Sequence, residues 1–180
     1  MMGRLRRIEE ISEIGEFDCG DAALNAFLKV DACHFKSEMI ANTFVLQEDE
    51  KIVAYFSLFN DIVSRDTADR NLWRKVWGLF PHAKHFSSYP AVKIGRLAVS
   101  RAMRSSGVGS RLINLIKQMA ILNQPMSAVR FLTVDVYMQA VPFYERNGFK
   151  PLKNEAERGT LPMYYDLKQL DLSEQCNQLK

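Results

Sequence analysis

Leu24, Phe27 and Leu28 follow Asp21 at the spacing of one helical face, and Asp21 itself suits an N-cap. The pattern predicts a helix over Asp21–Leu28 and a second short one from Asp31 to about Ile40. Thr43–Gln47 and Ile52–Val63 flank an acidic turn, Glu48-Asp49-Glu50-Lys51, and read as a β-hairpin. Residues 64–90 show no period and are expected to be irregular, with Trp73, Trp77, Phe80 and Phe86 scattered among Arg65, Arg70, Arg74, Lys75 and Lys84. Val92–Val99 reads as a buried strand. Gly109–Leu122 is the clearest helix, with Leu112, Ile113, Ile116, Met119 and Ala120 on one face. Val129–Val136 is a strand, Ala140–Asn147 a short helix with Gly148 where a C-cap glycine belongs, and Met163–Leu167 a last strand. This order of elements implies a mixed α/β sheet. With no repeat, low-complexity run or linker in view, residues 1–180 are read as a single domain.

Composition narrows the class. A chain of 180 residues, 47% apolar and 25% charged, has enough material for one core, and that balance excludes wholesale disorder. The longest apolar stretch, Ile52–Phe59, contains Ser57 and is too short to span a membrane. The basic start at Arg4, Arg6 and Arg7 runs into Glu9, Glu10 and Glu13 without an apolar segment, so a secretory signal is not expected. Three cysteines without a Cys-x-x-Cys spacing argue against a disulfide framework or a metal site, and a reducing cytoplasm is the expected setting.

Net charge is only +3, but its distribution is uneven. Residues 1–50 carry 5 basic and 11 acidic side chains, residues 51–130 carry 13 and 3, and residues 131–180 carry 6 and 7. The cationic middle raises the expectation of an anionic partner, whether the phosphates of a cofactor or a nucleic acid. An excess that is local in sequence and scatters in space stays an open alternative.

The chemistry centres on Arg104-Ser105-Ser106-Gly107-Val108-Gly109, with Ser110 in the helix it opens. The segment follows a predicted strand and starts the best helix, whose first N–H groups have no partners and whose dipole favours an anion. Two glycines let backbone N–H groups approach a phosphate closely. No Gly-Lys-Ser/Thr ending follows, so the turn is not a P-loop, and it is not the Gly-x-Gly-x-x-Gly of a dinucleotide site. On these residues alone, a plain strand-to-helix turn remains open.

Arg96-Leu97-Ala98-Val99 before the turn and Phe143-Tyr144-Glu145-Arg146-Asn147-Gly148-Phe149 after it complete a longer pattern. Over roughly residues 92–151, that pattern resembles the GNAT superfamily of acetyl-CoA-dependent N-acetyltransferases. The resemblance implies a mixed, mostly antiparallel central sheet, splayed at its middle and flanked by helices. It implies acetyl-CoA as co-substrate, with its pyrophosphate on the amides of residues 104–109 and its pantetheine arm along Leu97, Ala98 and Val99. It implies Tyr144 as proton donor to the departing thiolate. Where many members place an asparagine seven residues before that tyrosine, this chain has Tyr137. No spacing singles out a general base among His34, His82, His85 and Asp61, and nothing in the sequence calls for a metal.

Phe17-Asp18-Cys19-Gly20 and the Leu24–Leu28 helix resemble the opening of a GNAT subgroup that includes toxins acetylating the α-amine of aminoacyl-tRNA. That likeness implies aminoacyl-tRNA as acceptor and a ribbon–helix–helix antitoxin as partner. Arg96, Arg74, Lys75 and Lys84 are candidate acceptor contacts, and a homodimer is an assembly open to the chain. A small-molecule amine, a protein amine, and a non-catalytic acyl-CoA-binding module remain alternatives.

Overall fold

Alternating burial along Ala41–Glu48 (β2) and the apolar run of Lys51–Ser64 (β3) produce the expected antiparallel hairpin, with Phe44 opposite Phe56 and Val45 opposite Tyr55. Asp49 and Glu50 both take left-handed backbone (φ 47° and 64°), the turn whose twist matches two strands joined by two residues. The computed structural model describes residues 3–10, 14–80, 86–122 and 127–170. His82, Lys84, His85 and Cys176 lie outside the described residues.

The other strands are Arg4–Arg7 (β1), Ser88–Val99 (β4), Phe131–Tyr137 (β5), Lys150–Pro151 (β6) and Thr160–Asp166 (β7). The sheet has seven strands in the order β1-β2-β3-β4-β5-β7-β6. Among the described pairings only β4 with β5 is parallel, and its register runs from Ala91↔Phe131 to Lys93↔Thr133. The helices are Ala22–Ala26 (α1), Ala32–Ser37 (α2), Arg70–Trp77 (α3), Val108–Leu122 (α4) and Val141–Arg146 (α5). This is the mixed, mostly antiparallel sheet with flanking helices that the family resemblance implied.

Contacts group the chain into two compact units, residues 1–60 with 94–114, and residues 61–93 with 115–180. In the first, Asp21 caps α1 by accepting from the N–H groups of Ala23 and Leu24. A π-helical segment, Phe27–Asp31, joins α1 to α2, and Phe27 and Leu28 from it sit in a core with Phe17, Val45, Tyr55 and Ala98. Leu112 and Ile113 of α4 are buried within 1% of complete exclusion, each worth about 1.5–3 kcal/mol. In the second unit, Val63, Trp73, Val76, Tyr89, Phe131 and Tyr164 form the core. An Arg130–Asp166 pair ties β5 to β7 through two bonds, Nε to Oδ1 at 2.7 Å and Nη2 to Oδ2 at 3.0 Å.

Segment 64–90 departs from expectation: α3 occupies Arg70–Trp77, and β4 begins at Ser88 rather than Val92. Leu72, Trp73 and Val76 are the buried face of α3. Leu72, Trp73, Val76 and Trp77 do keep a helical spacing, but over eight residues only, so the helix is hard to tell from loop in the sequence.

Candidate active site

In the first unit, β4 ends at Val99, a short 3-10 turn covers Arg101–Met103, and α4 starts at Val108. Between them Ser105 and Gly107 take left-handed backbone (φ 61° and 79°). Alternating left-handed residues turn successive peptide N–H groups to one side, the geometry of an anion nest. Ser106 Oγ donates to Met103 O at 2.6 Å and closes the turn. The Arg111 N–H donates to Gly107 O (3.1 Å), which ties the first turn of α4 to the glycine before it. A Cβ on Gly107 would meet open space, with only Arg111 Nη1 near at 3.9 Å. Gly107 alone carries the special conformation, while Gly109 lies inside the first turn of α4. Val108 is buried, and Ser105 and Ser106 are exposed.

Two arginines anchor this turn to the segment Phe17–Gly20. Arg104 Nη2 donates to Cys19 O, the Arg101 N–H to Asp18 O at 3.0 Å, and Arg101 Nε approaches Asp18 Oδ2 at 3.4 Å. The Asn25 amide, the Gly20 N–H and the two guanidiniums hold the Asp18 carboxyl below its ordinary pKa. A Cβ on Gly20 (φ 82°) would lie 2.6 Å from Arg101 Nε, so the glycine admits the guanidinium. The Arg104 side chain is thus engaged by protein, and the cation beside the turn is Arg111, whose Nη1 donates to Ser106 O at 3.3 Å. Arg111 escaped the sequence reading because helix periodicity marks it only as a solvent-facing position.

Ahead of the turn, Ala98 is buried, and Leu97 and Val99 are half-buried. Gly95 is required by packing: a Cβ there would lie 2.0 Å from Phe59 Cε2. Arg96 is exposed, and its guanidinium lies 5.0 Å over the Phe27 ring. Arg96 and the cofactor candidates of residues 97–110 therefore share one unit, whereas Arg74 and Lys75 belong to the other.

In the second unit, Tyr144 projects from α5 and is 8% exposed, meeting Phe143 and Phe149 edge-on at 5.1 and 5.4 Å. Burial pushes its phenol up to about 12. Phenol and thiol acidities are therefore less closely matched than free tyrosine implies, and the hydroxyl stays protonated throughout the neutral range. The C-terminal turn of α5 is held by Lys117, a buried lysine whose Nζ donates to Asn147 O at 2.7 Å and lies 3.7 Å from the Tyr165 ring centroid. Tyr137, in the place of the family's asparagine, is 61% exposed at the end of β5. Arg74 and Lys75 are exposed on α3.

The cationic block is partly consumed by the fold. Lys93 pairs with Asp135 at 2.5 Å, Arg130 with Asp166, and Lys117 caps α5, whereas Arg65, Arg70, Arg74 and Lys75 face outward. Among the described residues no group of three or more His, Cys, Asp or Glu is placed to hold a metal, and no helix is long and apolar enough to cross a membrane.

Residues 83–165 match the family model of the GNAT acetyltransferase domain. That match covers just under half of the chain and makes this part similar to the GNAT acetyltransferase domain. The fold of the chain is shared with AtaT complexed with acetyl-methionyl-tRNAfMet, at 20% identity and TM-score 0.73 over 94% of this chain and 97% of that one. It is shared equally with a tyrosine-to-phenylalanine mutant of KacT (19%, TM-score 0.75, 96% and 99%) and with AtaTR bound with AcCoA (20%, TM-score 0.73, 95% and 97%).

Proposed function

We propose that this chain moves the acetyl group of acetyl-CoA onto the α-amine of an aminoacyl-tRNA, as a toxin-like enzyme. The observation that carries the acetyl-CoA half is the turn between β4 and α4, where Ser105 and Gly107 take left-handed backbone, a Cβ on Gly107 would meet open space, and Arg111 stands alongside. The amides of the turn and the helix start bind the pyrophosphate. Leu97 and Val99 offer backbone to the pantetheine arm, since the described β4–β5 register ends at Lys93↔Thr133 and β4 continues six residues further. A backbone N–H near Leu97 stabilises the oxyanion as the amine attacks the thioester carbonyl. The new N–C bond forms and the C–S bond breaks. The Tyr144 hydroxyl then donates its proton to the leaving thiolate, and the amine's surplus proton passes to solvent.

The acceptor half is supported by the solved AtaT complex with acetyl-methionyl-tRNAfMet and by the outward arginines of the second unit. The AtaT–AtaR complex bound to DNA supports an antitoxin partner here; its ribbon–helix–helix type is what the family resemblance implies. Incubation with labelled acetyl-CoA and aminoacyl-tRNA, uncharged tRNA or free amino acid tests the reading. Label should appear on the charged tRNA alone. Transfer only to the free amino acid or another small amine would replace the acceptor assignment while keeping the acetyltransferase.

A further inference from the structure

Lys117 follows Ile113 by one helical turn, on the face of α4 that the core covers, and is itself buried. An ammonium there is costly: burial pushes its pKa down to about 8, whereas a leucine would pack with no charge to desolvate. The charge is committed to one place. Nζ donates to Asn147 O at 2.7 Å, lies 3.7 Å from the Tyr165 ring centroid, and stands 5.9 Å from that of Phe149. None of these contacts enters the acetyl-transfer steps above, yet all of them surround Tyr144.

Asn147 caps α5, which at six residues is too short to hold its geometry without tertiary contacts. The turn around Tyr144 closes on itself. The N–H groups of Asn147 and Phe149 both donate to Tyr144 O at 3.0 Å, the Gly148 N–H to Glu145 O at 2.9 Å, and the Asn147 side-chain amide to Phe143 O at 2.8 Å. Those bonds stiffen residues 143–149 but stay within the segment. Lys117 attaches it from outside, tying Asn147 O to the fifteen-residue α4. The same ammonium backs the aromatic wall behind Tyr144, since Phe149 meets Tyr144 edge-on at 5.4 Å and Tyr165 at 5.7 Å. A Cβ on Gly148 (φ 84°) would lie 3.0 Å from Tyr165 Cε2, so turn and wall are already in close contact. We propose that Lys117 is a positioning residue of the transfer reaction: by clamping the last turn of α5 it sets the direction in which the Tyr144 hydroxyl delivers its proton to the thiolate sulfur. This rests on the assignment of Tyr144 as proton donor. The lysine acts through Tyr144, and proton delivery across a hydrogen bond is sensitive to shifts of about an ångström.

Steady-state kinetics of the full chain test the proposal in four forms: wild type, Lys117→Met, Tyr144→Phe and the double variant. The substrates are labelled acetyl-CoA with aminoacyl-tRNA, or with the small amine if that takes the label instead, and every assay runs below the lowest melting temperature. Lys117→Met should lower kcat by about tenfold or more, with acetyl-CoA affinity and acceptor KM within about twofold of wild type. Added to Tyr144→Phe it should lower kcat no further, because no phenol proton is left to misdirect. Lys117→Gln, whose amide is one carbon too short for Asn147 O, should repeat the loss, and it decides the matter if the methionine variant does not fold. A kcat within about twofold of wild type, a loss matched by acetyl-CoA affinity, or losses that multiply in the double variant overturns the proposal. The two readings fail separately. Tyr144→Phe with wild-type kcat would remove the proton donor and the lysine's role with it. An impaired Tyr144→Phe beside a fully active Lys117→Met would remove the lysine's role alone.

Discussion

Replacing Lys117 by Met should remove a pH dependence of stability. The lysine is 6% exposed in the middle of α4, and burial pushes its pKa down from 10.5 to about 8. A folded-state pKa below the unfolded one means that the unfolded chain binds more protons between those values, so stability rises with pH across that window. Worked from the two values, the group adds at most about 2 kcal/mol between pH 7 and 9.5. At pH 7 the substitution relieves the cost of burying the charge. It also strands Asn147 O and removes the ammonium from the Tyr165 ring, losses of about 1–3 and about 1–2 kcal/mol. These terms offset, so the variant should lie within about 1.5 kcal/mol of wild type at pH 7 and fall relatively behind by up to about 2 kcal/mol at pH 9.5. Tyr144, Tyr164 and Tyr165 do not confuse the window. Burial raises their folded pKa values, so the stability they contribute is intact below 10 and lost only above it. Urea unfolding of both proteins at the two pH values reads the difference directly. A difference that does not change with pH would refute the coupling.

Tyr144→Phe keeps the ring among Phe143 and Phe149 and removes only the hydroxyl, so kcat should fall by about 10²–10⁴ while acetyl-CoA affinity and melting temperature hold. Because burial pushes the Tyr144 phenol up to about 12, the wild-type kcat profile should show no loss from its ionisation at neutral or mildly alkaline pH. Gly95→Ala sets a methyl against Phe59 and should cost about 1–3 kcal/mol, visible as a lower melting temperature and reversed in part by adding Phe59→Ala.

The elements with strong periods were legible in the sequence. The hairpin followed from alternation, α4 from its apolar face, and the strand–turn–helix at 99–108 from its two glycines. Elements defined by tertiary pairing were not. β1 is Arg-Leu-Arg-Arg and shows no alternation of its own; it exists as a strand because Leu5 and Arg6 pair with Leu46 and Val45. The π-helical segment at Phe27–Asp31 adjusts the register so that Phe27 and Leu28 both reach the core, which no local pattern announces. At the site, the Arg104 guanidinium donates to Cys19 O, and Arg111, which periodicity marks only as solvent-facing, stands by the turn. Lys117 hid in plain view on a helix face where a lysine suggests solvent.

The central claim is that the turn beginning α4 holds the pyrophosphate of acetyl-CoA, and calorimetric titration of acetyl-CoA into wild type, Gly107→Glu and Gly107→Asn tests it. Both substitutions bear the same left-handed backbone (φ 79°), which asparagine tolerates best, but only glutamate puts a carboxylate beside Arg111 at the start of α4. The wild type and the asparagine variant should bind, and the glutamate variant should lose about a hundredfold or more through like charge. Glutamate at 107 with wild-type affinity would contradict the account.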